Sequence, residues 1–400
     1  MKISGKGETV MEFQGFERPK DLVGVRNIVL VVAIADCTEP AARMIAEGIE
    51  GAVPVTHHHG CIAMDVVPTL VGVARNPNVA ATLLLAMGCE GIQAEPLRDE
   101  ISKAGKPVDV INIQRIGSTR RAISRGREMV SGMGDQAKKQ QRKPFDVSRL
   151  VVGVKCGGSD TTSGLAANPA IGVMSDMLVD AGAAVVMIEP IEAIGAEKPL
   201  AARAVNEGVR QQILKWIGDE EKRWTVPGAE MDFMCRGNIE GGLTTLEEKS
   251  LGAIHKGGHR AVKGVLKNKE DYLETVPPGG GFYLQDGTHS EPAAMSYMAA
   301  AGVHIIVFAT GRGGSFGHAI CPMVKVTGNP DTWSRMGEDM DINASTIMEG
   351  KESIESVGKR IFDEVVAVAS GKVTLGEQLG FYNFSLWRRD PRLEALLKIK

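Results

Sequence analysis

Residues 28–61 read "IVLVVAIADCTEPAARMIAEGIEGAVPVTHHHGC". The stretch opens on an apolar, β-branched run, Ile28–Ala35, which reads as a strand. A helix-length segment, EPAARMIAEGIE, follows, and a second β-branched run, AVPVTHH, comes after it. Strand, helix, strand is the unit of a parallel sheet, because a parallel partner is reached only through a crossover.

The same alternation continues outward. ATLLLAMG is followed by AEPLRDEISKAG, and VDVINIQ by a long helical segment from about Ser118 to Gln141. A polar, basic stretch ending in proline and a short tail, GMGDQAKKQQRKPFDVSR, then interrupts it and predicts a domain boundary near residue 143. Its Lys/Arg cluster reads as a solvated helix end and linker. Beyond it the pattern restarts with the strands LVVGVKCG, AAVVMIEP, HIIVFATG and MVKVTG. Helices are expected at NPAIGVMSDMLVDAG, about Leu200 to Trp224, TTLEEKSLGAIHKGG, EPAAMSYMAAAG and SIESVGKRIFDEVVAVASG. The predicted fold class is α/β with two domains, 1–142 and 143–400, each a largely parallel sheet flanked by helices.

Composition narrows the function classes. The 400 residues are 43% apolar and 24% charged, as in an ordinary globular protein. A net charge of -3 provides no global basic field for nucleic acid or an acidic membrane, so neither partner is expected. The longest apolar run, Ile28–Ala35, falls far short of the ~20 residues that span a bilayer. The start, MKISGKGETVMEFQGF, lacks a signal-peptide apolar region, and a cytoplasmic chain is expected. Six scattered cysteines without a CxxC pair read as free thiols, some of them possible ligands, not as a disulfide framework.

In open α/β sheets ligands bind beyond the carboxyl ends of the strands. Asp36 and Cys37 follow the first strand, and His57, His58, His59, Gly60 and Cys61 the second. Three internal histidines abutting a strand are not a tag. In an extended segment His57 and His59 share a face. Imidazole and thiolate suit iron-, zinc- or manganese-class ions, and histidine is the usual base near neutral pH; the alternative is helix capping. CGGSDTTSG (156–164) offers an anion nest with Ser159, Asp160, Thr161, Thr162 and Ser163, or a plain glycine turn capped by the acid. Glu189 ends another strand. TGRGGSFGH (310–318) carries Arg312, a planar fork for a carboxylate, and Lys325 on the next strand is a second cation. PPGGGFYLQDGTHSE adds Asp286, Thr288 and His289. Cys89, Cys321, His255, His259 and His304 stand without such company and read as structural.

These motifs together resemble the altronate dehydratase and galactarate dehydratase family, in its large catalytic subunit, a family that includes the sulfolactate sulfo-lyase large subunit. The resemblance runs through GVRNIVLVVAIADC (Gly24 to Cys37), HHHGC, CGGSDTTSGLAANPAIG, GNIEGGLTTLEEKSLGAIHKGG and FATGRGGSFG. It departs at His58, which stands where sugar-acid dehydratases usually carry threonine. It departs again at LQDGTH, where only Asp286 and its surroundings carry over.

The resemblance implies a metal-dependent β-elimination from a 2-hydroxy acid to a 2-keto acid, with water or sulfite leaving. The cofactor would be a divalent metal, Fe(II) ahead of Mn(II). It implies His57, His59, Asp160, Glu189 and Asp286 as catalytic. Arg26, Asn27, His58, Ser159, Thr161, Thr162, Thr288, His289, Arg312 and Lys325 are implied in substrate binding. His57, Cys61, Cys156 and Glu189 are implied as metal ligands. Larger members carry a small N-terminal SAF-type domain that this chain does not show, so a separate small subunit and an oligomer are expected. A non-catalytic sugar-acid-binding subunit is the alternative of another class.

Overall fold

The computed structural model describes residues 2–3, 9–224, 234–267, 274–288 and 290–387. Its strands in chain order are β1 (Lys2–Ile3), β2 (Thr9–Val10), β3 (Glu12–Arg18), β4 (Leu22–Gly24), β5 (Ile28–Ala33), β6 (Ala52–Val55), β7 (Val79–Ala86) and β8 (Val108–Asn112). They continue with β9 (Lys143–Asp146), β10 (Val151–Cys156), β11 (Ala184–Ile188), β12 (Val262–Leu266), β13 (Gly281–Gln285), β14 (Ile305–Ala309), β15 (Met323–Thr327) and β16 (Ile342–Asn343).

Two parallel sheets form, as the alternation predicts. The first has the order β6-β5-β7-β8 and the second β12-β13-β11-β10-β14-β15-β16. Strands β7, β11, β13, β14 and β15 are buried along their whole length, which is why β11 and β14 read as apolar runs; β13, inside the glycine-rich stretch expected as a loop, is a buried central strand instead. In each sheet the first strand in sequence is interior. The chain fills one side of it, in the second sheet laying β12 at the edge before β13 slots in beside β11, and then crosses to the other. These reversals, β5 against β7 and β10 against β14, are switch points where crossovers diverge and leave a crevice beyond the strand ends.

The segment expected as a linker is a strand. β9 pairs antiparallel with β3, and β3 pairs with β4, giving a three-stranded sheet of order β4-β3-β9. Phe13, fully buried on the inner face of β3, packs with Val23, Val25, Val147 and Leu150 in the core of the second sheet. The N-terminal residues therefore belong structurally with the C-terminal half. The helix expected over 200–224 is two helices, Glu197–Ala201 and Glu207–Trp224. Between them Ala204 bridges to Val262, Val205 N–H donates to Val262 O at 3.1 Å, and Asn206 accepts from Val209 N–H at 2.9 Å. Pairing with β12 outcompetes helix propagation there.

The two sheets meet through a tight joint. Helix Val67–Arg75 lies on helix Glu291–Ala300, and a Cβ on Gly72 would stand 2.7 Å from Ala300 Cβ. Asn76 Nδ2 donates to Ala299 O (2.7 Å) and Val303 O (2.9 Å). Asn78 Nδ2 donates to His304 O and Ile320 O, both at 2.8 Å, while its Oδ1 accepts from Val25 N–H at 2.9 Å. Leu30, Val55, Leu70, Met295, Ile306 and Phe308 share one apolar core across the joint. No helix among the described residues is long and apolar enough to cross a membrane.

Asn78→Ala strands three buried backbone groups, so we expect a stability loss of about 3 kcal/mol or more in chemical denaturation. His304 and His318 are buried, and desolvation lowers them to about 4 and about 3. In the unfolded chain each titrates near ~6.5. The unfolded state thus binds more protons between those limits. Stability should be full above pH ~6.5 and fall as pH drops towards 4, by up to ~1.4 kcal/mol per unit per histidine, measured as denaturation midpoint against pH.

Candidate functional site

The second sheet's switch point brings the glycine-rich motifs together. Gly157 N–H donates to Ala309 O at 2.9 Å, and Gly311 and Arg312 N–H both donate to Gly158 O, at 3.0 and 3.2 Å. The loops after β10 and β14 are thereby laced edge to edge. Asp160 pins them. Its Oδ1 accepts from Thr162 Oγ1 (2.7 Å), Ser163 N–H (2.9 Å) and Ser163 Oγ (3.0 Å), and its Oδ2 from Asn329 Nδ2 (2.6 Å). A side chain at position 311 would collide with that carboxylate, which explains the glycine. Next comes a π-helical turn, Ser163–Ala167, a distortion often found at functional sites. Segment 237–242 closes the same end. Asn238 Nδ2 donates to Ser159 O at 2.9 Å, and Thr161 N–H and Oγ1 donate to Gly241 O.

Beside these loops β11 and β13 pair with Ile188 opposite Gln285, so Glu189 and Asp286 leave adjacent strand ends at the same level. Glu189 has φ 83°, a left-handed conformation that a non-glycine residue adopts only where its surroundings force it. It heads a buried cluster of charges that sequence reasoning missed. Lys155 Nζ lies 2.8 Å from Glu189 Oε2 and donates to Cys156 O at 2.8 Å. Lys256 Nζ lies against Glu192 Oε2 and 3.1 Å from Cys156 Sγ, and Cys156 Sγ donates to Glu192 Oε1 at 3.0 Å. Lys155 alternates inward within an apolar run, and Lys256 ends a helix whose sequence looks solvated. Only their fully buried positions mark them.

Burial alone would raise the Glu192 carboxyl, but Lys256, then Lys155, pull it down to about 2. Burial raises Glu189 well above the ordinary carboxylate range against the pull of Lys155, and Glu192 adds to the rise. Burial would lower Lys155, yet Glu189, Glu192 and Glu291 hold it up. Two lysines and two carboxyls are thus enclosed together, with burial pushing Glu189 upward and the lysines holding Glu192 down.

The other expected residues fall as follows. Ser159 donates to Gly157 O at 3.1 Å, and Thr162 is taken by Asp160, so both hydroxyl protons serve the loop. Thr288 is buried and accepts from Ser290 N–H at 3.3 Å; His289 lies outside the described residues. Arg312 is half-exposed at the cleft, 3.4 Å from Glu240. Lys325 is instead buried beneath its loop, with Nζ donating to Gly314 O (3.1 Å) and 5.5 Å from the Phe381 ring centre. Arg26 and Asn27, expected on substrate, are structural clamps. Arg26 pairs with Glu377 at 2.7 Å and donates to Val368 O and Lys372 O. Asn27 donates to Ala137 O and accepts from Arg18.

At the first sheet the predicted alternation appears. His57 and His59 stack at 6.0 Å, while His58 points out, 3.4 Å from Glu39. His57, however, is buried with both nitrogens engaged. Nδ1 accepts from His59 N–H (3.3 Å), which leaves Nε2–H to donate to Ile34 O (3.0 Å), and burial lowers its pKa. His59 Nε2 meets Leu386 O at 2.7 Å. The four expected metal ligands are divided between the sheets: Cys61 is exposed beyond β6, whereas Cys156 is enclosed by Glu192 and Lys256. Among the described residues no three His, Cys, Asp or Glu side chains are grouped to hold a metal ion. The expected ligand set does not fit a single ion as placed.

Residues 147–392 match the D-galactarate/altronate dehydratase C-terminal family, and residues 15–138 the D-galactarate dehydratase/altronate hydrolase second domain. The beta subunit of (2R)-sulfolactate sulfo-lyase from Chromohalobacter salexigens is 34% identical over 96% of this chain and 98% of its own length. The altronate dehydratase of Bacillus subtilis is 30% identical over 95% of this chain and 78% of its own. The galactarate dehydratase (L-threo-forming) of Escherichia coli is 33% identical over 79% of this chain and 61% of its own.

Lys256→Met would leave ionised Glu192 buried beside one cation fewer, and a loss of about 3–5 kcal/mol is expected in urea titrations. Glu189→Gln removes a carboxyl that burial already pushes towards its neutral form and should cost less, about 1 kcal/mol. Equal losses in the two variants would contradict that upward shift.

Proposed function

The chain belongs to the D-galactarate/altronate dehydratase family, and on that premise we propose that it is a lyase acting on a 2-hydroxy acid. The reaction is β-elimination. A base takes the proton beside the carboxylate, the electron pair forms the carbon–carbon double bond, and the leaving group departs from the next carbon. The enol then becomes a 2-keto acid. Dehydration of a sugar acid is the reading that the geometry supports best. Its carrying observation is the strained Glu189 at the end of β11, beside the second sheet's switch point, a buried carboxyl that burial pushes towards its protonated form. Hydroxide leaves well only when protonated, and a carboxylic acid beside a cationic spot supplies that proton. Asp286, on the neighbouring strand end, is the candidate base, and Arg312 the candidate carboxylate anchor. A divalent metal, expected from the family resemblance, would supply Lewis-acid stabilisation of the dianionic enolate.

A second reading is elimination of sulfite from a sulfolactate-like acid, which needs no proton donor for its leaving group. It is favoured by the match over nearly the whole length of a relative named a subunit beta, which also supports a separate partner subunit.

The test is turnover of altronate, galactarate and sulfolactate by the full chain, with its partner subunit and Fe(II), followed as 2-keto acid and sulfite. Sugar-acid dehydration predicts keto acid without sulfite. Glu189→Gln should then lower kcat by ~100- to 10,000-fold with its fold intact. Sulfite release with Glu189→Gln still active would give the second reading instead, and no turnover of any of the three would sink both.

A further inference from the structure

The donors and acceptors left over at the second sheet's crevice discriminate among 2-hydroxy acids. β10 opens into its loop through Gly157 and Gly158, and a charged side chain lies against each. A Cβ on Gly157 would run into the Phe308 ring and stand 3.5 Å from Glu291 Oε1. One on Gly158 would stand 3.2 Å from Arg312 Cβ. Glu291, in the first turn of helix Glu291–Ala300, is half-buried. Among the described residues no hydrogen bond or ion pair engages its carboxylate, although its charge reaches the enclosed Lys155.

The hydroxyls of this mouth have no proton to offer. Ser159 gives its proton to Gly157 O, Thr161 to Gly241 O and Thr162 to Asp160. Each keeps acceptor lone pairs. Glu291 and Glu240, the latter 3.4 Å from Arg312, add carboxylate acceptors. Lys325 is turned under its loop to Gly314 O, so Arg312 is the cation presented there. The mouth thus sets one cation against a surplus of acceptors. Its complement is a molecule with one anionic group and several hydroxyl donors. A second anionic group would bring Glu291 no donor and a like charge, and such repulsion is how sites reject a wrong ligand.

We propose that this mouth takes a polyhydroxy acid with a single charged end, and that Glu291 receives its hydroxyls and turns away a second anion. The proposal rests on the lyase reading for its substrate class. Altronate, a monoacid, then ranks ahead of galactarate, a diacid, and of sulfolactate, whose sulfonate offers acceptors alone.

The test compares the three acids on the full chain, by kcat/KM with partner subunit and Fe(II), and by calorimetric binding. The unmutated chain should favour altronate by ~10-fold or more, the scale of one charge contact near a protein surface. Glu291→Gln keeps a hydrogen-bonding side chain but removes the charge. It should shrink that preference by ~10-fold, mainly by lowering KM for the two dianions, with circular dichroism unchanged. Glu291→Asp keeps the charge and should keep the preference. Glu207→Gln, which removes an exposed carboxylate from another helix, should also leave it as it was. Equal use of the three acids by the unmutated chain, or a preference for either dianion, would overturn the proposal and leave the lyase reading standing. So would an unmoved ratio in Glu291→Gln, or an equal shift in Glu207→Gln. If no acid is converted, the lyase reading falls and binding alone decides. Absence of binding, or the same binding preference in Glu291→Gln, would then overturn the proposal as well.

Discussion

The Asp160 carboxylate is the contact on which the candidate site depends. Four donors from two segments, Thr162–Ser163 and Asn329, converge on it, and Gly311 is stripped of any side chain to let the next loop pass. A carboxylate saturated in this way is an organiser of backbone more than a reagent. It fixes where Gly158, Ser159 and Arg312 lie, and so fixes the mouth of the crevice that β10 and β14 open by diverging. The hydroxyls of Ser159 and Thr162 follow the same logic. Their protons are spent on the loop, and what remains towards a ligand is acceptor capacity and backbone.

Below that mouth the chemistry changes character. Lys155, Glu189, Glu192 and Lys256 are enclosed together with Cys156. Burying several charges is costly unless each is paired and hydrogen-bonded. Here each carboxyl lies against a lysine, and burial still pushes Glu189 upward. The strained backbone of Glu189 points the same way, since such a conformation persists only where its surroundings impose it.

The fold was legible because parallel strands buried on both faces have to be written as apolar runs separated by helices. β5, β7, β10, β11, β14 and β15 were all visible for that reason. β9 was not, because an edge strand containing proline and two charges looks like a linker. The break at Arg203–Asn206 was hidden because nothing local announces pairing with a strand some sixty residues later. At the site, glycine-rich loops at strand ends were readable from position alone. The roles within them were not. Arg26 and Asn27 sit in a conspicuous motif, yet they clamp the N-terminal segment to helix ends. Lys155 hides within a strand, because nothing in a sequence separates an exposed lysine from one enclosed with a carboxyl.

The close crossing at Gly72 carries a mechanical consequence. With helix backbones almost touching at Ala300, and Asn76 and Asn78 stitched to carbonyls of the opposite half, the halves have little room to hinge. The segment 381–387 adds a second tie: it runs from the Lys325 ammonium past Gly317 and Ala319 to His59, with Leu386 buried in the shared core and Trp387 O accepting from Tyr297 Oη. The two sheets thus act as one welded frame.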